Sequence, residues 1–102
     1  MEGFTRTEAQ QCIRSWAARE SDIILTRHAC DRMVERGITE LDMRRVLRRG
    51  SLVGHVVQTD QGEWKCKMTL RVRGEREIGV VVLILRNTRS LLVKTVEWES
   101  FQ

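Results

Sequence analysis

"WKCKMTLRVRGEREIGVVVLIL", residues 64–85, changes its pattern halfway along, and that change decides the fold. In its first half Trp64, Cys66, Met68, Leu70 and Val72 alternate with Lys65, Lys67, Thr69, Arg71 and Arg73. Successive side chains of a strand point to opposite faces, so this half reads as a strand with one dry face and one strongly basic face. "RGER" (73–76) reads as a turn. Residues 77–85 form a nearly unbroken apolar run, the pattern of a central strand covered on both sides or nearly so. "LVGHVVQ" (52–58) is the expected first long strand, joined onward through "TDQGE" (59–63). "RNTR" (86–89) turns again, and "SLLVKTVEW" (90–98) returns as the last strand.

Upstream of residue 51 the period is helical. Ala9, Cys12, Ile13, Trp16 and Ala17 recur at i, i+3, i+4, i+7 and i+8, an amphipathic helix started by Thr5 or Thr7. In "LTRHACDRMVERGIT" (25–39), Ala29, Cys30, Met33 and Val34 cover one arc of a second helix. His28, Arg32, Glu35 and Arg36 cover the neighbouring arc, and Gly37 stops the helix. A third helix follows, with Thr39 as N-cap, Asp42 as capping-box partner and Ile38 placed to staple onto Met43. Arg48 and Arg49 suit its last turn, and Gly50 closes it. The expected fold is α+β: two or three helices on one face of a roughly four-stranded antiparallel sheet in meander order.

A chain of 102 residues makes a single domain with one modest core. No run approaches the about 18 apolar residues of a membrane span. The opening "MEGFTRTEAQQC" lacks the basic start and apolar stretch of a signal peptide. Three cysteines, Cys12, Cys30 and Cys66, are an odd number without CxxC spacing, which points to free thiols in a reducing cytoplasm. His28, His55, Cys30 and Cys66 lack zinc-ligand spacing, so no metal and no cofactor is expected; His55, in an apolar strand, reads as structural. Of 18 basic residues only Lys65, Lys67 and Lys94 are lysines. Arginine grips phosphate with paired hydrogen bonds, although a GC-rich genome produces the same bias.

"ILTRHACDRMVERGITELDMRRVLRRG" (24–50), followed by a sheet ending in "LLVKTVEW" (91–98), resembles the family catalogued as domain of unknown function 4258. The likeness rests on the Thr-x-His opening, the His-x-x-x-Arg-Met-x-x-Arg-Gly-Ile run, an acidic helix start and the closing Val-x-Thr-Val element. It spans residues 23–98 and leaves 1–22 outside as an additional N-terminal helix. The resemblance implies a RelE/ParE-like fold in the barnase–colicin–RelE class of small ribonucleases. It also implies a bacterial toxin neutralised by a protein antitoxin. On that likeness His28, Arg32, Arg36 and Thr95 are the site residues, and Trp98 stands where a tyrosine is common.

The chemistry is coherent without the family. Metal-independent RNA cleavage needs a base for the 2′-hydroxyl, an acid for the 5′-oxygen and cations on the phosphorane. Histidine serves either proton role because it titrates near neutrality. Arg32 and Arg36, one and two turns on, clamp phosphate, and Lys94 or Thr95 adds a charge or a hydrogen bond. Lys65, Lys67, Arg71 and Arg73, with no acid among them, read as a face that tracks an RNA backbone. The bland readings are a solvated helix face with weak ion pairs, and the wet side of a sheet. Trp64 and Trp98 read as core or rim. The expected function is therefore an RNA-cleaving toxin; the alternative is a non-catalytic module of the same fold that grips nucleic acid or a protein.

Overall fold

The computed structural model describes residues 4–19, 22–74 and 76–99, with Arg73 described by its backbone alone. Three helices, α1 (Arg6–Trp16), α2 (Arg27–Arg36) and α3 (Glu40–Arg49), accompany five strands. These are β1 (Ile23–Leu25), β2 (Ser51–Gln58), β3 (Trp64–Arg73), β4 (Arg76–Leu85) and β5 (Ser90–Trp98). The sheet runs β1-β5-β4-β3-β2, antiparallel throughout except where β1 pairs in parallel with β5. The four-stranded antiparallel expectation is thus corrected to five strands with a parallel edge. Three residues, "IIL", are too short to write an alternation, so β1 is invisible to periodicity.

Each helix starts on a threonine. Thr5 accepts from the Glu8 amide while Glu8 accepts from the Thr5 amide, a complete capping box. Thr26 and Thr39 cap α2 and α3 by accepting from the amides of Ala29 and Asp42. Gly37 ends α2 in the left-handed conformation, at φ 66°. Gly50 ends α3 for a different reason. A Cβ there would lie 2.5 Å from the Val46 carbonyl oxygen and 2.6 Å from that of Thr69, so only glycine lets α3 run into β2.

The core lies between the helices and one face of the sheet. Ala9 and Ile13, Ala29 and Met33, and Met43, Val46 and Leu47 come down from the helices. Cys66 and Met68, the even positions 78–84 of β4, and Leu91, Val93 and Val96 rise from the sheet. Two sequence expectations on the core change. Val34 is 83% exposed, so the buried arc of α2 is Ala29 and Met33 with Cys30 only partly covered. His55 is exposed where β2 is broken, Gly54 standing at φ 73° inside a register shift between Val53 and Val57. β4 is central as expected, but helices cover only one of its faces.

Candidate nucleic-acid interface

α2 lies along the edge of β5, and the residues of the opening motif fasten it there. Thr26 donates its amide (3.3 Å) and hydroxyl (3.0 Å) to the Val93 carbonyl, and the hydroxyl also reaches that of Lys94 at 3.3 Å. At the other end the Arg36 guanidinium donates to the Val96 carbonyl at 2.8 Å. The Trp98 indole N–H donates to the Arg36 carbonyl at 2.7 Å, and Arg76 stacks on the same indole at 3.8 Å. β1 pairs with β5 only at Leu91, Leu92 and Val93, so α2 satisfies the edge beyond it. Arg36, which the motif assigns to a phosphate, also serves in this fastening, and Trp98 is a rim residue with a structural hydrogen bond.

His28 and Arg32 remain, four residues apart on one side of α2. His28 is exposed; Arg32 is partly exposed and pairs with Glu35 one turn on. Exposed pairs of this kind contribute little to stability. Lys94 is the bulge of β5: Val81 pairs with Thr95 and Val82 with Val93, leaving Lys94 exposed and outside the register. The start of α2 is hydrogen-bonded to the backbone of that bulge. The fold therefore sets His28, Arg32 and Lys94 on two elements that are tied together, and packing uses none of the three side chains.

Thr95 stands elsewhere. It lies on the helix-free face of the sheet, in register with Val81, which is in turn in register with Lys67. Lys65, Lys67 and Arg71 share that face, as the alternation predicts, while the Arg73 side chain lies outside the described residues. The face is less cationic than β3 alone implies. Lys67 Nζ is 3.2 Å from Glu97 Oε2 and 3.0 Å from Glu99 Oε2, over the bare backbone of Gly79, and Arg71 sits opposite Glu77. Partial burial lowers the pKa of the Lys67 ammonium, but hydrogen bonds and charge from Glu99 and Glu97 more than reverse this, for a net upward shift. Sequence reasoning missed these acids because a bulge, not a simple alternation, sets which β5 residues share the face. Among the described residues no three His, Cys, Asp or Glu side chains group as metal ligands, and no helix is long and apolar enough to cross a membrane.

Fold and site together define a small α+β domain with helices on one sheet face and, where α2 is tied to β5, a ridge that carries the exposed His28 and Lys94 and the partly exposed Arg32. The chain belongs to the family described as Domain of unknown function (DUF4258), whose model matches residues 25–98. That range runs from the end of β1 to the last residue of β5, so it includes the ridge and leaves α1 outside. Comparison with curated proteins and with solved structures returns no match.

Proposed function

We propose that the protein is a toxin-like, RNA-directed domain, a metal-independent endoribonuclease held in check by a protein antitoxin. One observation carries the reading. Thr26, Arg36, Gly37 and Trp98 each have a structural task, whereas among the described residues His28 and Lys94 have none, Arg32 has only its pair with Glu35, and all three stand on the two elements that Thr26 ties together. In this mechanism His28 takes the proton of a 2′-hydroxyl. The oxygen attacks the adjacent phosphorus, a 2′,3′-cyclic phosphate forms, and the bond to the 5′-oxygen breaks. The imidazolium, or a water, returns a proton to that oxygen while Arg32 and Lys94 hold the phosphate charge. Arg36 positions α2 through one of its guanidinium nitrogens. The helix-covered meander supports the RelE-like assignment, and three free cysteines support a reducing, cytoplasmic setting.

A second reading, a binding module without chemistry, has its own support. The ridge offers a single imidazole, His55 is on β2 at the far side of the sheet, and the chain has no tyrosine. Expression in bacteria, with growth followed and transcript ends mapped, separates the two. Arrest with fragmentation that is lost in His28→Ala supports the enzyme. Arrest without new transcript ends supports the binder. Normal growth together with no affinity for RNA removes both.

A further inference from the structure

β4 carries the pattern of a strand covered on both faces, yet helices cover only one. Ile78, Val80, Val82 and Ile84 face the helices and are fully buried. The alternate positions Val81, Leu83 and Leu85 face the other way, where the described residues place no helix; Leu83 is sunk among its sheet neighbours at 5% exposure, and Val81 and Leu85 are half-buried. The register extends this apolar surface across the sheet: Ile24 pairs with Leu92, Leu92 with Leu83, Leu83 with Lys65 and Lys65 with Val57. In the next row Val81 lies beside Lys67, and Lys67 beside Val53. Ile24, Val53 and Val57 are 43%, 38% and 49% exposed. Solvated faces of antiparallel sheets are ordinarily polar, and a contiguous apolar stripe on one marks an interaction surface.

We infer that this helix-free face docks an acidic amphipathic helix of a different protein. Both sheet edges are partly occupied. On β2, the Leu52 carbonyl accepts from Arg6 and its amide donates to Gln10, both from α1, and beyond it Gly54 breaks the ladder. The β5 edge is taken by β1 and α2. A helix laid on the open face repeats the packing that the chain uses on the other. The charge of the occupant follows from Lys65, which stands between Leu83 and Val57 in the middle of the stripe with no ion pair among the described residues. Lys67, by contrast, is already matched by Glu97 and Glu99. A second copy, with net charge +4 and the same lysine in its stripe, would bring like charges together. The occupant therefore presents apolar residues at helical spacing and a carboxylate for Lys65.

This inference stands apart from the RNA reading, since it uses neither His28 nor Arg32 nor Lys94. The test is a titration of the full, isotope-labelled chain with two synthetic helical peptides, followed by amide NMR shifts. Both peptides carry leucine at heptad a and d positions; one has glutamate at the remaining positions and its twin has lysine. The glutamate peptide is expected to shift the amides of Ile24, Val57, Lys65, Leu83 and Leu92. Lys65→Glu should weaken it at least tenfold. Ile24→Ser should weaken it without altering charge. The inference is overturned by no shifts, by shifts confined to α2, by equal binding of the lysine twin, or by the same shifts appearing on concentrating the protein alone.

Discussion

Arg32 and Arg36 lie one turn apart on the same helix, yet they answer to different forces. Arg36 closes the far end of α2 onto β5 through the Val96 carbonyl. Losing a hydrogen bond from a charged donor costs about 1.5–3 kcal/mol. Arg36→Gln is therefore expected to lower the melting temperature by several degrees, since about 1 kcal/mol shifts a domain of this size by about 4–8 °C. His28→Ala and Arg32→Gln should each stay within about 0.5 kcal/mol of the parent. Equal melting temperatures for all three would refute the fastening role of Arg36. Gly50→Ala makes a sharper case, because the added methyl meets two backbone carbonyls that have no rotamer to escape into. Overpacking of this sort costs about 1–3 kcal/mol, and calorimetry or urea unfolding should read it directly.

At the scale of elements, α1 and the β5 bulge carry most of what is particular to this fold. α1 lays Arg6, Gln10 and Arg14 along the start of the β2 edge, with Arg14 donating to the Gly50 carbonyl at 3.0 and 2.6 Å. Arg14→Ala should speed hydrogen exchange at the Leu52 amide more than at Met68 in β3, whereas uniform acceleration would mean general destabilisation. Much of this architecture is legible in residues alone: the threonine caps of α1 and α3, the alternation of β3, and the turns at 73–76 and 86–89, of which Glu75 lies outside the described residues. What escaped did so for physical reasons. β1 is shorter than one period of any pattern. In β5 the core positions Leu91, Val93, Val96 and Trp98 skip a step at Lys94, and that skip is the written trace of the bulge. Reading it places Thr95 and Glu97 on one face and brings the acids to Lys67. The motif itself could not divide its residues into structural and free ones, because an arginine that clamps a phosphate and one that clamps a carbonyl look alike in sequence.

For the molecule as a whole, alkaline pH should loosen the fold. Burial pushes the Cys66 thiol up to about 11, with the nearby Cys12 adding to it, and burial raises Cys12 as well. Lys67 is also raised. A group whose pKa is higher folded than unfolded contributes its full share below the unfolded value and loses it as pH climbs through the folded one. Urea midpoints should thus fall between pH 9 and 11, and Cys66→Ala should flatten the lower part of that decline. A midpoint that rises with pH in this window would reverse the assignment. The net charge of +4 gives the molecule a general pull toward RNA, so affinity by itself distinguishes little. The dependence on salt does, because log K for single-stranded RNA falls by about 0.7 per phosphate neutralised for each tenfold rise in salt. The decisive measurement is the anisotropy of a labelled RNA oligonucleotide titrated with the protein over a range of salt, for the parent, Arg32→Gln, Lys94→Gln and Lys67→Gln. If the α2–β5 ridge is the RNA site, Arg32→Gln and Lys94→Gln each flatten the slope by about one phosphate's worth, and Lys67→Gln leaves it unchanged. A slope that flattens only for Lys67→Gln, or for none of them, would contradict it.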